Sequence, residues 1–382
     1  MTRKLRMGMV GGGIGSFIGD VHRKASSIDG MIELVCGTFS STTVKSISFG
    51  KGLLLSTERC YANFEEMILK EKELHKDIRM DFVAIVTPNH MHFSPAKMAL
   101  ENGFNVICDK PITLTLDEAL ALKDIIKISG KSFALTHNYT GNSMVKQAKV
   151  MIQNGDLGRI RKVQVHYLQG WLATSIEGTG QKQAAWRVDP KRSGIGGALG
   201  DIGTHAENLT EYITGLKIDE VAADLGVFGK GRTLDDDGNI LLRFDNGAKG
   251  TLSISQIAVG EENNLAIRVF GEKGSLEWCQ ENPNKLVTKW LDEPVKTYTP
   301  NGNGLYSEAL EVSRIPAGHP EGYLEAFATI YKNFSNHLLA LENGQRPNTP
   351  DFPTVDDGIR GMQFIYAAVE SNNNNSTWTK LV

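Results

Sequence analysis

The sequence lacks the features that mark disulfide scaffolds, zinc modules and membrane proteins. Its four cysteines, at positions 36, 60, 108 and 279, show no C-x-x-C spacing, which argues against a disulfide framework and a zinc site. No apolar run approaches the roughly 18 residues that a membrane span needs. The apolar segment after the basic N-terminus is too short for a signal peptide. We therefore expect a protein of a reducing cytoplasm, with no bound metal and no membrane partner.

An excess of charge of one sign is missing as well. The 41 basic and 44 acidic residues leave a formal net charge of −3. The chain thus offers no electrostatic footprint for nucleic acid, and a small-molecule partner is favoured. At 382 residues, the chain exceeds what one hydrophobic core usually supports. Two domains are expected.

Glycines are abundant directly after the first apolar segment, and a helical pattern begins a few residues later. A loop of this kind lets backbone N–H groups at a helix N-terminus approach a pyrophosphate. Gly11 and Gly13 fit the first two positions of G-x-G-x-x-G, whereas Ser16 stands at the third, and Gly15 and Gly19 fall outside that spacing. We predict a dinucleotide site on an extended turn. A tight turn without a ligand is the alternative.

Apolar segments alternate with helical patterns up to about residue 138. Regular alternation of strand and helix indicates parallel pairing with crossovers. We predict an α/β chain that begins with a dinucleotide-binding Rossmann domain, a doubly wound parallel sheet, over residues 1–138. The predicted strands lie at 6–10, 32–36, 59–61, 82–87, 105–108 and 132–136, and the predicted helices at 16–26, 42–50, 63–72, 94–102 and 116–128.

The pattern changes after residue 138. Turn signals at 245–247 and 271–274 predict hairpins, and hairpins mean antiparallel pairing. Residues 139–382 are therefore predicted to form a substrate-binding α+β domain with an open, mainly antiparallel sheet. An uncovered sheet face favours a homodimer or homotetramer through this sheet. Strands are predicted at 162–168, 239–244, 249–257, 264–270 and 274–279, and helices at 143–153, 323–343 and 355–370.

Two motifs follow neighbouring strands of the predicted parallel sheet. The sequence Thr-Pro-Asn-His-Met-His occupies 87–92, and Cys-Asp-Lys-Pro occupies 108–111. Ligands bind outside the carboxyl ends of such strands, so both loops should border the cleft of the glycine turn. There Lys110 could bond a substrate oxygen and favour its deprotonation. The alternatives are a helix-capping turn at 87–92 and a solvated surface lysine.

A third motif runs from Gly194 to Leu209. Within it, Asp201 and His205 are four residues apart, so a helix that begins near Asp201 places both side chains on one face. A histidine beside a carboxylate can accept a proton near neutral pH. An N-cap aspartate with a hydrogen-bonded core histidine is the alternative. The Asp-Asp-Asp-Gly stretch at 235–238 does not fit a calcium loop, and a turn is predicted there.

These motifs together resemble the Gfo/Idh/MocA family, the NAD(P)-dependent sugar and polyol oxidoreductases that include glucose-fructose oxidoreductase and inositol dehydrogenase. The resemblance covers nearly the whole chain. It includes the glycine-rich first turn, the motif at 87–92, Cys-Asp-Lys-Pro at 108–111 where the family usually has Glu-Lys-Pro, and Gly-Gly-x-x-x-Asp-x-Gly-x-His at 196–205. The long glycine turn and Thr-Gly-Asn at 140–142, where members often carry Arg-x-x-Pro, depart from the family pattern.

The resemblance implies roles for particular residues. It assigns Lys110, Asp201 and His205 to the catalytic centre and Trp186 and Arg187, with Asp201 and His205, to the substrate side. It implies no metal. The expected cofactor contacts are Gly11, Gly13, Ile14, Gly15, Ser40, Ser41, Thr87, Pro88, Asn89, His92, Asp109, Lys110 and Asn138.

The implied activity is hydride transfer between a secondary alcohol carbon of a sugar, glycoside or cyclic polyol and the nicotinamide of NAD or NADP. His205 is the expected general base, Lys110 the expected partner of the developing alkoxide, and Asp201 the residue that orients the pair. Ser40 stands where NAD-specific folds carry an acid, which predicts weak discrimination between the two cofactors. Two alternatives stay open: glycoside cleavage through transient oxidation, and a regulator that binds nucleotide without turnover.

Overall fold

The computed structural model describes residues 3–345 and 349–382 and shows an α/β protein. The chain divides into two compact units. The first comprises the chain up to Asn138 together with Phe327–Ile359, and the second comprises Tyr139–Ala326 and Arg360–Val382. The sequence-based division placed all of 139–382 in one domain. Phe327–Ile359 joins the first unit because its aromatic side chains pack there, with the Phe334 ring 5.6 Å from the ring of Phe82.

The first unit contains a five-stranded parallel sheet in the order β2-β1-β3-β4-β5. Its middle strand β3 is buried along its whole length, as expected for a sheet that is covered on both faces. The strand order reverses between β1 and β3, so the glycine turn and the loop at 87–92 leave adjacent strand ends. The strands are β1 (Leu5–Gly11), β2 (Ile32–Thr38), β3 (Phe82–Val86), β4 (Asn105–Cys108) and β5 (Phe133–Leu135).

Local sequence signals account for the helices of this unit. Leu116–Ser129 begins with a capping box between Thr115 and Glu118 and ends at Gly130, which adopts a left-handed conformation. The α-helices are α1 (Phe17–Ile28), α2 (Thr43–Gly52), α3 (Phe64–Glu73), α4 (Phe93–Glu101) and α5 (Leu116–Ser129). Helices and strands alternate as predicted except that no strand separates α2 from α3, and the doubly wound sheet is confirmed.

The predicted strand at 59–61 is wrong. The structure has a single bridge between Gly37 and Cys60 in its place, preceded by a short 3₁₀ turn at Thr57–Arg59. The residues on either side of Cys60 instead bond one buried carboxylate. Arg59 Nη2 donates to Glu71 Oε2 over 2.6 Å, and the Tyr61 hydroxyl donates to Glu71 Oε1 over 2.9 Å. These bonds draw the segment away from strand pairing and toward helix α3.

The second unit contains a nine-stranded sheet in the order β13-β12-β11-β10-β6-β9-β8-β7-β14. Neighbouring strands pair antiparallel except for β6 and β9, which run parallel. The mainly antiparallel sheet is therefore confirmed. The strands are β6 (Lys162–Leu168), β7 (Ile218–Gly226), β8 (Asp237–Phe244), β9 (Lys249–Ser255), β10 (Asn264–Phe270), β11 (Gly274–Cys279), β12 (Leu286–Trp290), β13 (Lys296–Tyr298) and β14 (Thr379–Lys380).

One face of this sheet is covered by helices. Along β8 and β10, inward residues are buried while outward residues stay half-exposed or exposed. The remaining helices are α6 (Ser143–Gln153), α7 (Lys182–Arg187), α8 (Pro190–Ser193), α9 (Thr204–Thr214), α10 (Ser307–Leu310), α11 (Tyr323–Glu342) and α12 (Val355–Asn373). No helix within residues 3–345 and 349–382 is both long and apolar enough to cross a membrane.

Candidate active site

The glycine turn after β1 is shaped by close backbone contacts. Gly11 and Gly12 adopt left-handed conformations with φ of 88° and 75°. A Cβ on Gly13 would lie 2.2 Å from the Phe39 carbonyl oxygen, and a Cβ on Gly19 would lie 2.2 Å from the Gly12 Cα. Gly19 therefore provides the close contact between helix and strand that the third glycine of the motif usually gives. Spacing alone missed this role of Gly19.

Helix α1 begins directly behind this turn. Ser16 caps it by accepting a hydrogen bond from the Gly19 amide over 3.2 Å. The Ile14 side chain at the tip of the turn is 73% exposed, and among the described residues no atom beyond the two chain neighbours lies within 4 Å of a Cβ built on Gly15. Open space in front of a helix N-terminus suits a pyrophosphate, and an exposed apolar side chain suits contact with a ligand.

The loop after β2 contains Ser40 and Ser41. Its start is fixed from both sides, because the Phe39 amide donates to Ser46 Oγ and Ser46 Oγ donates to the Tyr61 carbonyl, each over 2.9 Å. The contact between Gly13 and Phe39 brings this loop to the glycine turn. The loop that carries Ser40 and Ser41 thus starts beside the glycine turn.

The loop after β3 is joined to the loop after β4 by His92. This ring is buried, with Nδ1 2.7 Å from the Pro111 carbonyl oxygen and Nε2 2.8 Å from the Thr87 carbonyl oxygen. Burial lowers the pKa of His92, and a neutral ring donates through one nitrogen at a time. His92 therefore positions the loops that carry Thr87, Pro88, Asn89 and Lys110, and its expected part in cofactor binding would be indirect.

Lys110 follows β4 and is held through its backbone. Asp109 Oδ1 accepts the Lys110 amide over 3.0 Å and the Thr136 hydroxyl over 2.7 Å. The Lys110–Pro111 peptide bond is cis. His137 is buried, and the positive charge of Lys110 acts on its imidazole ring. Burial chiefly, and the Lys110 charge second, lower the pKa of His137 to about 3, so its ring stays neutral.

Thr136 and His137 were missed by the sequence reasoning. Thr136 ends the strand predicted at 132–136 and His137 follows it, so both occupy the same edge as the motif at 108–111, which is the signal that could have identified them. The next residue, Asn138, is buried, and its Nδ2 has no hydrogen-bond partner among the described residues. A buried amide donor of this kind fits a polar group of a ligand. The open helix N-terminus, the close-packed glycines and this amide together fit a dinucleotide.

In the second unit, Asp201 lies in a π-helical turn, Leu199–Gly203, that leads into α9. Asp201 Oδ2 accepts Arg187 Nε over 2.9 Å and Gln256 Nε2 over 2.8 Å. The guanidinium of Arg187 lies over the Trp186 ring at 4.3 Å and within 5.7 Å of Trp171. The structure thus brings the predicted Trp186, Arg187 and Asp201 together in one cluster.

His205 lies one turn further along and is buried among aromatic rings. The ring centroids of Tyr139 and Tyr167 lie 5.0 and 6.2 Å from its own. The two tyrosine hydroxyls are 2.6 Å apart, and that of Tyr167 donates to Asn263 Oδ1 over 2.8 Å. Burial raises the pKa of both tyrosines, so they stay protonated and restrict the imidazole without adding charge.

Polar side chains beyond the predicted set connect these two clusters. Gln169 Nε2 donates to Asn263 over 2.7 Å, and Gln169 Oε1 accepts the Trp171 indole N–H over 3.0 Å. Gln169 follows β6, Gln256 follows β9 and Asn263 precedes β10. These strand ends lie on one edge of the sheet. Polar residues at the ends of predicted strands were the available signal, and the parallel pairing of β6 with β9 was needed to use it.

The first unit has the construction of a dinucleotide site, and the second holds an imidazole, a carboxylate and a guanidinium in fixed geometry. These features define the class of dinucleotide-dependent oxidoreductases. The chain belongs to the Gfo/Idh/MocA family. Residues 5–137 match the model of the oxidoreductase family with an NAD-binding Rossmann fold, and residues 145–277 match the GFO/IDH/MocA C-terminal domain. It is an oxidoreductase with an NAD-binding domain.

Several known proteins resemble it along most of their length. An oxidoreductase structure from Sinorhizobium meliloti shares 46% identity and a TM-score of 0.89, covering 99% of this chain and 100% of that one. An inositol dehydrogenase homolog from Azotobacter vinelandii, solved with NADH and myo-inositol, shares 32% identity and a TM-score of 0.91, covering 100% and 98%. Levoglucosan dehydrogenase from Pseudarthrobacter phenanthrenivorans is 27% identical, covering 76% of this chain and 77% of that protein.

Proposed function

We propose that this protein oxidises a secondary alcohol carbon of a sugar, glycoside or cyclic polyol. The observation that carries the proposal is that Asp201 bonds Arg187 and Gln256 one turn before His205. The first unit of the same chain has the construction of a dinucleotide-binding site. The similarity to proteins solved with NADH and myo-inositol, or named for levoglucosan, supports this substrate class.

Each polar group has a distinct part in the proposed reaction. The nicotinamide, when bound, supplies the hydride acceptor. His205 takes the proton of the substrate hydroxyl, and its aromatic surroundings keep the ring in one orientation. Asp201, itself fixed by Arg187 and Gln256, orients the pair. Lys110, held through Asp109, stabilises the developing alkoxide.

The remaining predicted contacts belong to the same proposal. Trp186 and Arg187 line the substrate side. The glycine turn with Ile14 holds the pyrophosphate, Ser40 and Ser41 the ribose, and Asn138 the nicotinamide. The loops at 87–92 and 108–111 complete the cofactor contacts. NADP is accepted as well as NAD, because Ser40 offers no carboxylate to repel a 2′-phosphate.

Assembly and location complete the proposal. The open face of the nine-stranded sheet pairs with a second copy to give a homodimer, or two such pairs give a homotetramer. The protein works in the cytoplasm as a two-domain enzyme whose chain first passes from one domain to the other near residue 138. Sedimentation at micromolar concentration tests the assembly, and a clean monomer would refute it.

A substrate screen is the experiment that tests the function. Purified protein is incubated with sugars, inositols and glycosides, including myo-inositol and levoglucosan, with NAD⁺ and with NADP⁺ in parallel. We expect reduced cofactor to form with at least one neutral cyclic polyol or sugar. Release of free aglycone without net NADH would contradict the dehydrogenase and identify glycoside cleavage instead.

A further inference from the structure

The Asp-Asp-Asp-Gly stretch at 235–238, for which the sequence predicted only a turn, contains a buried carboxylate bonded to the segment before Asp201. Asp235 Oδ1 accepts the Gly197 amide over 2.6 Å, and Asp235 Oδ2 accepts the Leu199 amide over 2.7 Å. The Ala198 amide donates to the Asp235 carbonyl over 2.8 Å. Three successive amides of this segment are therefore fixed by one residue more than 30 positions away in sequence.

The same contacts lead directly to Asp201. The Asp201 amide donates to the Gly197 carbonyl over 3.0 Å. The N–H of the same Gly197–Ala198 peptide donates to Asp235, so Asp235 fixes the peptide that anchors the π-helical turn. A Cβ on Gly197 would lie 2.1 Å from the Asp235 carbonyl oxygen, which only glycine avoids. On the other side, the Gln256 amide donates to the Asp236 carbonyl over 2.8 Å. Asp235 and Asp236, the two residues that precede β8, thus support both Asp201 and its partner Gln256.

We propose that Asp235 is a positioning residue for the reaction, which sets the backbone of the turn that carries Asp201 and His205. The inference rests on the proposed roles of those two residues. Only an ionised carboxylate accepts both amides, since a protonated one gives up part of its acceptor capacity. Burial raises the pKa of Asp235 to about 6, so the group is ionised at the pH of 7.5 or so at which the assay would be run.

Asp236 provides a matched control. It is also buried, and its carboxylate also accepts two amides, those of Phe228 and Gly229, besides pairing with Arg232. None of these partners belongs to the segment before Asp201. Asp236→Asn and Asp235→Asn therefore remove the same charge from adjacent buried positions, but only Asp235→Asn removes side-chain bonds to the segment before Asp201. The backbone carbonyl of residue 236, which accepts the Gln256 amide, is kept in both variants.

The test compares these variants with the best substrate of the screen. Asp235→Asn should lower kcat about 10-fold or more, because a small displacement of catalytic groups is costly, while the Kd for NADH stays within about twofold. Asp236→Asn should keep kcat within about threefold of wild type, as expected away from the reacting groups. Equal losses of kcat in both variants, or a normal kcat in Asp235→Asn, would overturn the inference.

A double variant separates this inference from the function on which it rests. If Asp235 acts through Asp201, the kcat of the variant with both Asp235→Asn and Asp201→Asn should lie less than about threefold below the kcat of Asp201→Asn alone. Substitutions of residues that act as one unit do not have additive effects. A fully additive loss would contradict the inference while leaving the function intact. Full turnover in His205→Ala would instead refute the proposed function and the inference with it.

A measurement on the wild type covers the case in which Asp235→Asn does not fold. The Gly197 and Leu199 amides, bonded to a buried carboxylate, should exchange with deuterium at least about 10-fold more slowly than the amides of the exposed Lys230 and Gly231 in the loop before β8. Slow exchange supports the bonds on which the inference depends. Exchange as rapid as in that loop would overturn it.

Discussion

The two units hold their chemically important groups by different means. In the first, backbone groups do most of the positioning: glycines pack against backbone atoms, His92 lies between two carbonyls, and Asp109 accepts the amide of Lys110. In the second, side chains do it: Asp201 is held by Arg187 and Gln256, and His205 by aromatic rings. A backbone arrangement is encoded in a short local motif, whereas a side-chain cluster requires strands distant in sequence to meet.

The difference also extends to ionisation. Burial lowers the pKa of His22 to about 4 and that of His137 to about 3 in the first unit, so these rings are neutral at pH 7. In the second unit, burial raises the pKa of Asp235 to about 6. A lower pH therefore affects the stability of the two units in opposite directions. Protonation of His22 and His137 is disfavoured in the first unit, whereas protonation of Asp235 is favoured in the second.

The largest effects are expected at His205 and Lys110, the residues proposed for the acid–base chemistry. His205→Ala and Lys110→Ala should each lower turnover about 100-fold or more, the loss typical of a missing general base or alkoxide partner. Thermal unfolding should confirm that both variants fold. The control variants are His75→Ala, at an exposed histidine, and Lys97→Ala, at a partly exposed lysine. Near-normal turnover in either active-site variant would disprove the role assigned to that residue.

The same contrast explains what the sequence could predict. The strand at 105–108, the helix at 143–153 and the positions of Lys110, Asp201 and His205 follow from local patterns, and the alternating elements of the first unit were confirmed. Gln256 and Asn263 could not be found, because the bond of Gln256 to Asp201 and that of Asn263 to Tyr167 join residues that are far apart in the sequence. Strands such as Ile218–Gly226 were missed because their apolar residues do not alternate strictly.

Cofactor choice should show a smaller effect that stems from the first unit. The loop after β2 carries Ser40, Ser41 and Thr42 in place of an acid, and its nearest cation in sequence is Lys45. The ratio of kcat/KM for NAD⁺ and NADP⁺ should therefore lie within about 100-fold, the range that one or two polar contacts allow. Ser40→Asp should shift the ratio toward NAD⁺, because a carboxylate repels the 2′-phosphate. A preference far beyond 100-fold in wild type would show that the ribose loop lies elsewhere.

The glycine turn tests whether the backbone really shapes the cofactor site. Gly19→Ala places a methyl group 2.2 Å from the Gly12 Cα, and overpacking of this kind costs about 1–3 kcal/mol. We expect the Kd for NADH, measured by fluorescence titration, to rise about 10-fold, together with a lower Tm. Gly52→Ala is the control, because in the part of the chain that the structure describes no atom outside its own helix and chain neighbours lies within 4 Å of a Cβ built there. Unchanged NADH affinity in Gly19→Ala would contradict the arrangement.

The smallest expected effect is a dependence of stability on pH that originates in the first unit. His22 is fully buried, with Nδ1 2.7 Å from the Tyr331 hydroxyl oxygen, and burial lowers its pKa from 6.5 to about 4. The unfolded state therefore binds the proton more readily. The stabilising contribution of the neutral ring is complete above pH 6.5 and is lost as the pH falls toward 4. Between pH 7 and pH 5 this contribution amounts to about 1–2 kcal/mol.

A substitution isolates the His22 contribution from that of other groups. Because His22→Gln removes the titrating ring, the free energy of unfolding in urea should fall about 1–2 kcal/mol less between pH 7 and pH 5 than in wild type. His75→Gln, which changes an exposed histidine, is the control variant. Asp235 has the opposite sign, since its raised pKa makes protonation stabilising over the same range. An equal pH dependence in His22→Gln and wild type would show that His22 is not the neutral, buried group on which the contrast between the units depends.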